Sequence, residues 1–181
     1  MPTGAARDGN GQAGTVTGNG SSRRWRPEPT PVARAIGLLS RREHSARELR
    51  LKLQARGLAP EEAAAAVAKV GEAGWQDDAR FAEMLVRSRA GQGYGPRRIA
   101  AELKIHGLGE DLVAAALHEA GQDWPALARR LAQRRYGPLF ASDPTAARKA
   151  AELLYRRGFD GDQVRLACDG AEDAEATWTP G

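Results

Sequence analysis

Cysteine is nearly absent from the chain. Cys168 stands alone among 181 residues, which excludes an internal disulfide and makes a reducing compartment the simple expectation. Aromatic residues are scarce as well, at 6% of the total. Any core must therefore come from Leu, Val, Ile and the abundant Ala. β-Branched residues are few and strict alternation of apolar and polar residues is missing, which argues against strands. No apolar run approaches the roughly 18 residues of a membrane span. The first thirty residues contain no apolar signal-peptide core. Lysine is rare too: 23 of the 27 cations are arginine. Together these shortages predict a soluble, cytoplasmic, all-α protein, since Ala, Leu, Arg and Glu are strong helix formers.

The sequence repeats itself. Ser45 to Leu58 reads SARELRLKLQARGL. IAAELKIHGL follows some fifty residues on, and then KAAELLYRRGF. Aligning the three on Gly57, Gly107 and Gly158 brings other positions into register. Eight residues before each glycine stand Leu49, Ile99 and Ala150, and four before stand Leu53, Leu103 and Leu154. One after stand Leu58, Leu108 and Phe159. Six after come Ala63, Val113 and Val164, and ten after come Val67, Leu117 and Cys168. A register held over about 50 residues marks an internal repeat.

Local signals turn each phrase into a helix. Ser45 and Glu48 form a capping-box pattern. Pro96 and Pro144 suit the first turns of the other two. Each repeat glycine suits a left-handed position just beyond the helix end. A helix follows each glycine, opened by Pro60-Glu61-Glu62, by Glu110-Asp111 and by Asp160 to Asp162. Another precedes each phrase, expected at about 31–40, 78–90 and 125–136. The expected architecture is an elongated tandem array of three three-helix units at 30–74, 75–121 and 122–172. A disordered tail over 1–29 and a short C-terminal tail over 173–181 flank them.

Charge follows the repeat. The net charge is +5 over 31–57, −2 over 58–95, +2 over 96–107, −4 over 108–128, +6 over 129–158 and −5 over 159–181. The sign flips at every repeat glycine, which coding bias toward arginine does not explain. In an extended array, such alternation lays down a basic stripe and an acidic stripe. The basic one attracts phosphate without reading sequence, and the acidic one suits a basic protein surface.

Ten residues before the glycines stand Arg47, Arg97 and Arg148. Helical phase turns them away from the apolar face. A cation near a helix N-terminus costs about 0.3–1 kcal/mol, so phosphate contact explains them better than stability does. Arg98 and Lys149, their neighbours, fit the same role. Arg41, Arg42, Arg129, Arg130, Arg134 and Arg135 complete the candidate nucleic-acid surface. Arg56, His106 and Arg157 complement helix C-termini and read as structural. Arg23-Arg24-Trp25-Arg26 reads as a solvated cluster in the tail.

Catalytic machinery is not expected. His44, His106 and His118 lack metal-site spacing, and no Cys-x-x-Cys occurs. Asp77 and Asp78 read as a helix cap and an acidic first turn. The glycines of 91–95 follow no strand, so they form no phosphate-binding fingerprint. Cys168 takes a small apolar core position. No cofactor is expected.

With these residues assembled, the chain resembles the RecX family, bacterial regulators of the RecA recombinase. The resemblance rests first on Ala35 to Ser45, on Glu48-Leu49 and on Leu53 to Gly57. It continues through Gly74-Trp75-Gln76-Asp77-Asp78-Ala79-Arg80-Phe81-Ala82 and Arg87-Ser88-Arg89. The most specific stretch is Gly93-Tyr94-Gly95-Pro96-Arg97-Arg98-Ile99, with Glu102-Leu103 and His106-Gly107. Arg156-Arg157-Gly158-Phe159 closes the set. Gln76 departs from the apolar residue usual there. The resemblance covers about 31–170. It implies tandem three-helix units, no enzymatic activity, and binding to RecA and its filament on single-stranded DNA; a monomer is expected. It further implies that filament, ATPase and strand exchange are chiefly restrained. A stand-alone, sequence-independent DNA-binding protein is the alternative.

Overall fold

A computed structural model describes residues 28–169. The tail expected up to residue 29 falls outside these residues through position 27, with its Arg23–Arg26 cluster. So does the tail expected at 173–181. Among the described residues there are nine α-helices and no strand. They are α1 (Pro31–Leu39), α2 (Ala46–Gln54), α3 (Pro60–Glu72), α4 (Asp78–Gly91), α5 (Pro96–Ile105), α6 (Glu110–Glu119), α7 (Trp124–Tyr136), α8 (Pro144–Arg157) and α9 (Gly161–Asp169). A short 3-10 turn at Phe140–Ser142 lies between α7 and α8.

Side-chain caps set most helix starts. Thr30, Ser45, Asp77, Asp123 and Asp143 each accept a backbone N–H from the first turn of their helix. At α9 the capping is reciprocal. Asp160 Oδ1 accepts from Gln163 N at 2.8 Å, and Gln163 Oε1 accepts from Asp160 N at 3.1 Å. The expected box at Ser45 closes only halfway. Its hydroxyl accepts from Glu48 N, but the Glu48 carboxylate turns to Arg42 instead.

The middle helices α2, α5 and α8 all end the same way. Leu58 N donates to Leu53 O, Leu108 N to Leu103 O, and Phe159 N to Leu154 O. Gly57, Gly107 and Gly158 take φ of 88°, 88° and 90°. This left-handed turn folds the next apolar residue back onto the core.

Three cores result, one per triplet. Leu49, Leu53, Leu58, Ala63 and Val67 are buried in the first. Phe81, Ile99, Leu103, Leu108 and Val113 are buried in the second. Leu131, Phe140, Leu154, Phe159 and Val164 are buried in the third, with Cys168 half-buried against it. Burial, and then the charge of Asp169, push the Cys168 thiol up and keep it protonated. Helix–helix packing is concentrated within each triplet, while Trp124 packs against both the second and third cores.

Candidate nucleic-acid interface

The three basic helices meet end to end. At the first joint, the N-terminus of α2 meets the C-terminus of α5. Ser45 Oγ lies 3.2 Å from His106 Nδ1, and the His106 ring packs against Phe81 with centroids 4.7 Å apart. The Cδ of Arg47 stands 3.3 Å from where a Cβ on Gly107 would lie. Asp78 is more than an acidic first-turn residue. Its Oδ1 accepts from Ala46 N and from Gln76 Nε2, both at 2.8 Å. Gln76, buried at 9% exposure, also donates to His44 O. The polar side chain of Gln76, a departure from the resembling family's usual apolar residue, thus bridges two units.

At the second joint, the N-terminus of α5 meets the C-terminus of α8. Gly95 N donates to Arg157 O at 2.8 Å, and Arg97 N donates to Gly158 O at 3.1 Å. The free N–H groups that begin one helix satisfy the free carbonyls that end another. Gly95 is required by space: a Cβ there would stand 2.4 Å from Gly158 C and from Phe159 N. Tyr94 fills the corner, with the guanidinium carbons of Arg98 and Arg157 each 4.9 Å from its ring centre. Arg157 also donates to Gln92 O. The two short phrases Gly93–Arg98 and Arg156–Phe159 are therefore two halves of one joint.

This arrangement changes the electrostatics of Arg97 and Arg98. A lone helix N-terminus is positive and disfavours cations. Here the negative C-terminal end of α8 lies against it, and the unfavourable field is offset. Arg97 and Arg98 are exposed, as are Arg47, Arg148 and Lys149. The ten residues of α5 span about 15 Å, with Arg47 at one end and Arg97 at the other.

The other candidate cations differ in availability. Arg41 is exposed. Arg42 forks onto the Glu48 carboxylate and donates to Glu43 O, so its charge is largely answered within the chain. Burial by itself would raise the Glu48 carboxyl. Arg42, His44 and Lys52 together outweigh it and hold the group below its usual value. Arg129 is half-buried and donates to Leu166 O, while its Nε has no partner among the described residues. Arg130 and Arg134 line an open cleft of about 350 Å³ with Leu127, Leu131 and Gly93. Arg135 is exposed. Arg148 lies 4.0 Å from Glu152.

A second cleft, of about 420 Å³, opens at the α5–α8 joint between Arg97, Arg98, Tyr155 and Arg156. Sequence reasoning missed Tyr155 and left Arg156 out of the cationic surface. Tyr155 follows Arg148 by seven residues, which returns it to the same helix face. That spacing was the available signal. The nearby acids are taken: Glu102 forks onto Arg89 at 2.6 and 2.8 Å, and the Arg89 hydrogen bond holds its carboxyl below the usual range despite burial.

No group of three or more His, Cys, Asp or Glu side chains among the described residues is placed to hold a metal ion. No helix among them is long and apolar enough to cross a membrane.

Three family models match in order. They describe the first three-helix domain of RecX over residues 32–69, the second over 77–117 and the third over 123–168. This chain belongs to the RecX family. The Regulatory protein RecX of Stenotrophomonas maltophilia (strain R551-3) is 57% identical over 148 residues, covering 81% of this chain and 91% of that one. The Regulatory protein RecX of Xanthomonas campestris pv. campestris (strain B100) is 56% identical over 140 residues, covering 77% and 86%. The crystal structure of RecX from Lactobacillus salivarius superposes with a TM-score of 0.67 at 19% identity, over 78% of this chain and 94% of that one. At that identity the likeness speaks for the RecX fold alone. RecX proteins are regulatory proteins rather than an enzyme family.

Proposed function

We propose that this RecX-family protein regulates RecA by lying along its filament on single-stranded DNA, restraining ATP hydrolysis and strand exchange. It would act in the cytoplasm, in recombination and repair. The observation that carries the reading, beside family membership, is the end-to-end joining of three basic helices. Joining α2, α5 and α8 carries Arg47, Arg97 and Arg148 along one series at intervals of about 15 Å. Phosphates follow such a series through counterion release, with no base readout. The helices after each repeat glycine carry the acidic residues, including Glu61, Glu62, Glu110, Asp111 and Asp162. They are suited to a basic protein surface, which we assign to RecA.

The test is ATP hydrolysis by RecA on single-stranded DNA. Added protein is expected to inhibit at levels far below those that coat free DNA. Inhibition that sets in only at DNA saturation would instead identify a stand-alone DNA-binding protein competing for sites.

A further inference from the structure

Tyr155 poses a question that the phosphate-binding reading leaves open. It is 54% exposed on α8, and it lines a cleft together with Arg97, Arg98, Arg156, Gly158 and Phe159. Phosphate neutralisation needs cations and makes no use of an exposed aromatic ring. Arg97, Arg98 and Arg156 border the same cleft. None of the three is ion-paired or makes a side-chain hydrogen bond among the described residues. Arg98 is held by Tyr94, and the Arg157 beside it is turned into the joint. The acids on the adjoining turns, Glu102 and Glu152, face Arg89 and Arg148.

Resting on the reading above, we propose that the α5–α8 joint is a nucleotide-binding subsite for single-stranded nucleic acid. One base stacks on Tyr155, and its flanking phosphates are held by Arg97 and Arg156. Three features select this ligand. The cleft is open to solvent and, at about 420 Å³, leaves room for one nucleotide. An aromatic face beside guanidinium groups binds bases without sequence preference. A duplex keeps its bases stacked inside, so only an open strand offers one to Tyr155. The site also depends on the joint, because Arg97 comes from one unit and Tyr155 and Arg156 come from the next.

Binding of the full chain to fluorescently labelled strands tests this. The strands are an oligothymidylate, an abasic strand of equal length and a duplex. Wild type is expected to prefer oligothymidylate over the other two. Tyr155→Leu is expected to weaken oligothymidylate binding by about 5- to 150-fold, the range of one base–aromatic stack. It should leave abasic binding and the salt slope unchanged. Tyr155→Trp should retain affinity and show quenched fluorescence on binding. Arg156→Gln should weaken oligothymidylate and abasic strands alike.

Equal wild-type affinity for abasic and thymidine strands would overturn the subsite while leaving phosphate binding intact. So would a Tyr155→Leu variant that binds oligothymidylate normally. If that variant loses RecA inhibition with unchanged DNA affinity, the cleft contacts protein and the subsite is refuted. Failure of the broader reading looks different: wild type would bind every strand weakly, with no dependence on salt.

Discussion

Adding one methyl group at Gly95 tests the joint between the second and third units. The φ of Gly95 is −84°, a value open to any residue, so backbone strain is not the issue. Contact is. The new Cβ would stand 2.4 Å from Gly158 C and Phe159 N, and 2.5 Å from Gly158 O. Carbon atoms settle at about 3.5 Å or more, so the joint must open by about 1 Å. These neighbours are backbone atoms, and no side-chain rotation relieves the clash. Overpacking of this kind costs about 1–3 kcal/mol. The hydrogen bonds from Gly95 N and Arg97 N are stretched at the same time, each worth about 0.5–1.5 kcal/mol net. Gly95→Ala should therefore remove about 2–6 kcal/mol of coupling between the units.

Each unit has its own buried cluster, so the expected result is uncoupling rather than collapse. Helical circular dichroism should be retained, while urea unfolding becomes broader or splits into two steps. Hydrogen exchange at Gly95 and Arg97 should accelerate. Gly91→Ala is the control, since its added Cβ meets nothing within 4 Å. It should leave unfolding unchanged or slightly more stable. If Gly95→Ala unfolds at the same midpoint and with the same slope as wild type, the joint does not couple the units.

Other perturbations have defined outcomes. Leu154→Ala empties a fully buried position and should cost about 2–5 kcal/mol in thermal or urea unfolding; a loss below 0.5 kcal/mol would contradict the assigned third core. Glu102→Gln breaks the partly exposed fork with Arg89, so a modest loss of about 0.5–1.5 kcal/mol is expected, and Arg89→Lys should lose a similar amount. Acid should weaken the fold in two stages. Burial, assisted by Arg42 and Lys52, lowers the His44 value despite Glu48. The unfolded imidazole therefore takes its proton first, and stability declines as pH drops below 6.5. Glu48 and Glu102 ionise more readily folded than unfolded. Their stabilisation is complete above 4.5 and disappears as pH falls through their lowered folded values. A denaturation midpoint constant from pH 7 to pH 3 would contradict both stages.

Helix phase and chain turns were readable because they depend on near neighbours. Leu49, Leu53 and Leu58 occupy buried places set by spacings of four and five residues. The positive φ at Gly57, Gly107 and Gly158 follows from a local turn that only the nearby carbonyls define. The joints were not readable. Ser45 and His106 are 61 residues apart, and Gly95 and Arg157 are 62. Their meeting depends on how whole units dock, which no local pattern encodes. Asp78 shows the difference most clearly. A first-turn acid is the economical reading of its place in the chain, and its bond to Ala46 N exists only across the joint.

The candidate surface was legible to the same extent. Exposure of Arg47, Arg97 and Arg148 follows from helical phase. The capture of Arg42 by Glu48 depends on how the preceding turn bends. Phe140 is buried from an irregular connection that carries no periodic signal. Tyr155 has no aromatic counterpart at the same register, where Gln54 and Lys104 stand, so the repeat did not mark it.

The most direct measurement is the salt dependence of oligothymidylate affinity for wild type and for a variant with Arg47, Arg97 and Arg148 all changed to Ala. On a single strand each neutralised phosphate contributes roughly −0.7 to the slope of log K against log salt. Loss of three phosphate contacts should make the slope shallower by about 2 while the helical fold is retained. An unchanged slope and affinity in the triple variant would mean that the end-to-end basic helices do not face the nucleic acid.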